Sequence, residues 1–269
     1  AGLRLKIAIS DSSTSALDLH TVLGAATVLA SASVTGGTAA DTITGGSSAD
    51  TITGGAGSDS IVGGLGSDSI DGGADDDTIS DIIVAGNSVI NGGTGADTIT
   101  LGLTTGASPN ATSIASDATG KVSIDLGVDS AVDQILLNLT DFAVALGGKL
   151  VVEVTNFVTG TGGDKFTTAL NSNLETLSTT YAAAIINTYL GTPEAATTSN
   201  VTQVKVAATT GMEAATAGKA VLYDGDYWAV VGAPGATPDG TLGNGEILLH
   251  IVGTYTGNFD TTLNGVAQS

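Results

Sequence analysis

Residues 54–71 read GGAGSDSIVGGLGSDSID, one nine-residue phrase written twice. A helix does not accommodate it, because Gly in a helix interior costs about 1 kcal/mol relative to Ala. An ordinary strand does not favour it either, since paired Gly offers no side chain to pack. The phrase calls for a structure in which glycine turns alternate with very short strands.

Working outward from that stretch, the frame begins at Gly36. GGTAADTIT, GGSSADTIT, GGAGSDSIV, GGLGSDSID and GGADDDTIS run without a gap to Ser80. Asp81 and Ile82 break the frame, and IVAGNSVIN at 83–91 is a degenerate unit with Ser88 where Asp belongs. GGTGADTIT at 92–100 restores the pattern. Position six of the unit holds Asp41, Asp50, Asp59, Asp68, Asp77 and Asp97, and position eight holds Ile43, Ile52, Ile61, Ile70, Ile79 and Ile99. A flexible Gly/Asp linker has no reason to hold Ile at a fixed ninth place, so the linker reading is set aside.

The unit Gly-Gly-x-Gly-x-Asp-x-apolar-x resembles the nonapeptide of RTX proteins, over about residues 36–100. The resemblance implies a parallel β-roll and several bound Ca2+ ions. In such a roll six residues turn, three form a strand with one inward Ile, and two units complete a coil. Stacking turns eighteen residues apart brings Asp41 near Asp59, Asp50 near Asp68, and Asp59 near Asp77. Carboxylates so placed repel unless a hard cation sits among them, and calcium takes six to eight oxygens from carboxylates and carbonyls. The candidate ligand set is Asp41, Asp50, Asp59, Asp68, Asp77 and Asp97, with Gly55, Gly57, Gly64 and Gly66 in the two cleanest turns. The turns around Asp50, Asp59, Asp68 and Asp77 are the best sites. Asp97, beyond the broken frame, is expected in a separate or incomplete one.

A roll with a core one Ile wide cannot offset its own chain entropy. Ligand linkage supplies the difference. With a dissociation constant of ~0.1 mM and ~1 mM calcium, each site adds roughly 1.4 kcal/mol, and at ~1 µM almost nothing. The expectation is a chain unfolded where it is made and folded outside the cell.

Composition agrees. The formal net charge is −20 although only 13% of residues are charged, and no Lys or Arg lies between Ile7 and Gly120. Such a surface repels nucleic acid and anionic lipid and attracts cations. There is no cysteine, which excludes disulfides and thiolate metal sites. Mean hydropathy is +0.32, yet no run approaches the 18 apolar residues of a membrane span.

The flanks read as mainly β. Residues 1–35 form strands or a cap of the roll, with LRLKIAIS alternating by two and TVLASASVT as a degenerate coil. Residues 101–269 hold strand-like KVSIDLGV, DQILLNLTDFAV and KLVVEVTNFV, and a hairpin in KAVLYDGDYWAVV with Asp224-Gly225 at its turn. One helix is expected over 172–190, opened by a capping box at SNLE, faced by Leu174, Leu177, Tyr181, Ile185 and Tyr189, and ended by Gly191. The fold class is all-β: a parallel β-roll, then a mainly β region with one helix.

The order NFVTGTGGDKF, helix, YDGDYWAVV, GEILLHIVG looks like the C-terminal region of RTX proteins exported by type I secretion, including bacterial S-layer proteins of the RTX kind. That resemblance implies an uncleaved secretion signal near the C-terminus, in keeping with an opening, AGLRLKIAIS, that reads as no signal peptide. It also implies the type I secretion machinery as a partner and the bacterial cell surface as the address.

No catalytic constellation emerges. His20 and His250 lie outside any H-E-x-x-H, and no G-x-S-x-G occurs. His250 reads as a tolerated strand residue, and Tyr223, Tyr227 and Trp228 as hairpin packing. The function expected is non-enzymatic: a secreted calcium-binding structural protein that assembles with copies of itself into an S-layer or filament. The alternative is the C-terminal folding and secretion module of a larger adhesin or exported enzyme. An enzyme acting on polysaccharide would need the aromatic hairpin and nearby carboxylates to form a cleft.

Overall fold

The computed structural model describes residues 3–8, 16–18, 29–83, 87–102, 120–138, 150–158, 163–168, 173–174, 179–190, 196–197, 199, 202–205, 217–232 and 246–255. The repeats give β4 (Thr42–Thr44), β5 (Thr51–Ala56), β6 (Ser60–Gly66), β7 (Ser69–Ala74), β8 (Thr78–Ile83), β9 (Val89–Thr94) and β10 (Thr98–Gly102). Before them come β1 (Leu3–Ala8), β2 (Ala16–Asp18) and β3 (Leu29–Thr35), and after them β11 (Gly120–Asp125), β12 (Gln134–Asn138), β13 (Leu150–Thr155) and β14 (Lys165–Thr168). Successive strands alternate between two sheets. Even strands stack in parallel from β2 to β14, and odd strands stack in parallel from β1 to β13. The expected parallel β-roll forms, and its sheets run on through both flanks of residues 36–100.

Register explains the fixed ninth place. In the even sheet Ile43 pairs with Ile61, Ile61 with Ile79, Ile79 with Ile99, Ile99 with Ile135, and Ile135 with Phe166. In the odd sheet Val34, Ile52, Ile70, Ile90, Ile124 and Val154 form the facing file. All of these side chains are buried in one core. Parallel stacking in register puts each apolar residue on its equivalent one coil away, so any slip would expose the file. The residues beside each Ile point outward, and Thr42, Thr51, Ser60, Ser69 and Thr78 are exposed.

The odd sheet changes character past β13. It pairs in parallel with β19 (Glu246–Ile251), and there the direction reverses. β19, β18 (Asp226–Gly232), β17 (Ala217–Tyr223) and β16 (Thr202–Lys205) are joined antiparallel. The β17–β18 hairpin turns at Asp224 and Gly225, with φ of 52° and 89°. These left-handed angles suit a tight turn whose twist matches its strands. One face of these strands closes the roll core with Tyr227, Ala229, Ile247, Leu249 and Ile251. The other face packs Val151, Val221, Trp228, Val230 and Leu248 against a helix.

That helix, α1 (Thr179–Leu190), is shorter than the sequence suggests. Asn173 and Leu174 form a two-residue strand, β15, paired antiparallel with Gly232 and Val231 of β18. A sheet edge claims Leu174, so the capping box does not start the helix. The buried face is Ala182, Ala183, Ile185 and Ile186, with Tyr189 partly buried beside it. Leu177 and Gly191 lie outside the described residues, as do the loop TTGASPNATS and His20.

Candidate cation-binding columns

Each repeat aspartate stands at the end of a turn, one residue before its strand. In the turns that enter the even strands, the amide of Asp41 donates to Oδ1 of Asp59 at 2.7 Å, and that of Asp59 to Asp77 at 2.8 Å. The file continues from Asp77 to Asp97 at 2.9 Å, from Asp97 to Asp133 at 2.8 Å, and from Asp133 to Asp164 at 2.9 Å. Asp164 closes it, accepting the amide of Val158 on Oδ2 at 2.7 Å. In the turns that enter the odd strands, Ala32 donates to Asp50 at 2.7 Å, Asp50 to Asp68 at 2.8 Å, and Asp68 to Oγ of Ser88 at 3.2 Å. One oxygen of each carboxylate thus satisfies an amide that the turn would leave buried and unpaired. The expected eighteen-residue stacking forms, and an amide hydrogen bond threads each stacked pair.

The other oxygen is the informative one. Oδ2 of Asp59, Asp68, Asp77 and Asp97 is buried and has no hydrogen-bond partner. Glycine carbonyls approach the same places. A Cβ on Gly54 would overlap both Oδ2 of Asp59 and the carbonyl oxygen of Gly72, and one on Gly72 would overlap Oδ2 of Asp77 and the carbonyl of Gly92. The turns keep glycine there because carboxylate and carbonyl oxygens converge where a side chain would stand. Gly55, Gly57, Gly64 and Gly66 all sit at positive φ in these turns, between 96° and 139°.

Burial and mutual repulsion act on these carboxyls. Desolvation, offset in part by the backbone hydrogen bond and reinforced by neighbouring carboxylates, raises Asp77 to about 7 and Asp133 to about 7. Asp97 rises to about 6 from burial, with Asp129 and Asp76 adding to it. A cation would relieve both causes at once. Among the described residues no three His, Asp or Glu side chains converge as a metal cluster. A cation in these turns must therefore complete its shell with carbonyl oxygens, which hard cations such as calcium accept. The donor set is all oxygen, buried and acidic, and it fits calcium.

The RTX calcium-binding nonapeptide repeat (4 copies) matches residues 35–70, 53–80 and 84–103. These turns are RTX calcium-binding repeats. No curated protein and no solved structure matches the chain.

The RTX segment alone does not bound the aspartate file. Asp133 and Asp164 continue it from outside the matched residues, and sequence reading missed both. The signal was the Asp-x-apolar triplet in DQI and DKF, which lacks the surrounding glycines. Nor does the broken frame set Asp97 apart. The two extra residues fall in β8, and Asp77 meets Asp97 across 20 residues instead of 18. Asp75 replaces the fourth-position glycine at a φ of 73°, and its Oδ2 accepts the amide of Gly57 at 3.1 Å.

His250, in contrast, is not a bystander. It stacks on Trp228 with ring centroids 3.7 Å apart, and its Nε2 lies 2.7 Å from Oδ2 of Asp226. Nδ1 lies 3.3 Å from Oε2 of Glu153, which also accepts the hydroxyl of Tyr189 at 2.9 Å and pairs with Lys121. Sequence reading treated this residue as a tolerated strand position. The structure makes it the polar centre of the contact between α1 and the sheet. No helix among the described residues is long and apolar enough to cross a membrane.

Proposed function

We propose that the chain is a secreted, non-enzymatic structural protein whose roll folds on calcium and whose folded form assembles with copies of itself into an S-layer or extracellular filament at the bacterial surface. The observation that carries this reading is the file of buried carboxylates in which Oδ2 of Asp59, Asp77 and Asp97 has no hydrogen-bond partner. Six aspartates in one file, four of them within a stretch that has no basic side chain between Ile7 and Gly120, are not stable as ionised buried groups without a counter-charge. Calcium outside the cell supplies the missing charge, and its scarcity in the cytosol keeps the chain unfolded for export, for which type I secretion is the route we infer.

The assembly half of the proposal draws on the shape of a stacked roll, whose last strands offer backbone groups to a neighbour. A second reading has its own support. Asp164 and Val158 close one aspartate file, and antiparallel strands continue the odd sheet beyond β13, as in a self-contained folding and secretion module of a larger adhesin or exported enzyme.

A calcium titration read together by circular dichroism and negative-stain electron microscopy separates them. β-signal and ordered sheets or filaments that appear together between micromolar and millimolar calcium, and vanish with chelator, support the structural protein. A chain that folds yet stays monomeric at high concentration sinks self-assembly and favours the module.

A further inference from the structure

The second file of turns loses its aspartate early. Asp50 and Asp68 are followed by Ser88, a neutral residue, at the place where the next carboxylate belongs. The same coil carries the frame break. Val62 of β6 pairs with Ser80 of β8, then the register shifts so that Leu65 meets Ile82. Asp81 thereby takes the seat that glycine holds at the head of every full repeat, with Leu101 beside it on the next strand.

Asp81 turns inward. It is 0% exposed and Asp68 is 1% exposed, and Oδ2 of each has no hydrogen-bond partner. The two carboxyl groups lie within hydrogen-bond reach of one another, and Asp81 also reaches the side chain of Ser88. Both converge over Gly63, where an added Cβ would sit 2.5 Å from Oδ1 of Asp81 and 2.9 Å from Oδ2 of Asp68. Two carboxyl groups that face each other with both Oδ2 atoms unpartnered need a shared proton or a cation between them.

We propose that Asp68, Asp81 and Ser88 form a separate divalent-cation site that closes the second file, Asp81 replacing the carboxylate that Ser88 lacks. Two carboxylates and a hydroxyl offer a hard cation of the calcium class the start of an oxygen shell, which carbonyls or water would complete. The nonapeptide itself places no carboxylate at the first position, so this site belongs to the eleven-residue unit 81–91. The inference rests on the calcium reading of the roll.

Bound calcium is counted by equilibrium dialysis with radioactive calcium on the full chain, folding being checked by far-ultraviolet circular dichroism in saturating calcium. Asp81→Asn keeps the shape and removes the charge, and Asp81→Gly restores the residue of the other repeats should the first fail to fold. Each is expected to bind one calcium fewer than the wild-type chain. Adding Ser88→Asp to either is expected to restore the count. An unchanged count in the Asp81 variants, or a loss that Ser88→Asp does not restore, overturns the site. Asp77→Asn, in the other file, separates the two levels of the argument. If it and the wild-type chain bind no calcium, the calcium reading of the roll fails; if it loses calcium while the Asp81 variants do not, only this site fails.

Discussion

The amide of Asp97 donates to Oδ1 of Asp133 at 2.8 Å, across 36 residues of chain and past the last nonapeptide. The bond has the same geometry as the one joining Asp59 to Asp77 inside the repeats, also 2.8 Å. The aspartate file is therefore a property of the turn-to-strand junction. Asp133→Ala leaves the buried amide of Asp97 without an acceptor, a loss of about 1–3 kcal/mol. Asp133→Asn keeps an acceptor for that amide and costs less than Asp133→Ala. Urea unfolding in saturating calcium measures both, and an alanine variant as stable as wild type would show that the file ends at the repeats.

Acid should do part of the work of calcium. Asp68, Asp77 and Asp133 are raised to about 7 and Asp97 to about 6, each chiefly by desolvation; Asp59, Asp81 and Asp164 move the same way. In the unfolded chain these groups titrate near ~4. A carboxyl raised on folding favours the folded state fully below its unfolded value, and that contribution is lost as pH rises through the folded value. The calcium-free chain should then hold more β-structure at about pH 5 than at about pH 8, and millimolar calcium should change the signal more at the higher pH. Circular dichroism on calcium-stripped protein reads this directly. Equal disorder at both pH values would count against the burial of these carboxyls.

How much of this was legible depended on whether the responsible force is local. The roll was, because a coil of two nonapeptides forces Ile52 onto Ile70 and Asp50 onto Asp68 by count alone. So was the hairpin at Asp224-Gly225, whose turn chemistry sits in two residues. Asp133 and Asp164 were not, since the segments before them lack the repeat and only three-dimensional stacking lines them up. The start of α1 failed for the same reason. SNLE is a sound capping box, but pairing of Leu174 with Val231 outweighs a cap's contribution of about 1 kcal/mol. The polar contacts of His250 were not legible, because Asp226 and Glu153, its partners, lie on two other strands.

The one-Ile core makes a sharp mutational prediction. Ile79 is fully buried between Ile61 and Ile99 on neighbouring strands. Ile79→Ala should cost about 2–5 kcal/mol. Thr78→Ala, at the exposed neighbouring position, should change stability by less than about 0.5 kcal/mol. The observable is the calcium concentration at the folding midpoint, which should rise steeply for the first variant and hardly for the second. Similar shifts in both would contradict the inward-outward alternation.

Asp226 ties β18 to β19, the strand that pairs with β13 of the roll. Its Oδ2 meets Nε2 of His250 and its Oδ1 accepts the amide of Gly253 at 2.9 Å. Asp226→Ala removes both contacts and leaves a ring nitrogen and an amide without their partner, a loss of about 1–3 kcal/mol. Trp228, stacked on His250, is the only tryptophan, so its fluorescence reports this end of the molecule alone. β19 continues the odd sheet through five in-register pairs with β13, from Leu150 with Ile247 to Val154 with Ile251. Damage at Asp226 should therefore reach the roll. In Asp226→Ala the fluorescence transition and the calcium-dependent β-signal should shift together to lower denaturant. A fluorescence transition that moves while the β-signal stays at its wild-type midpoint would mean that the antiparallel end unfolds separately from the calcium-bound roll.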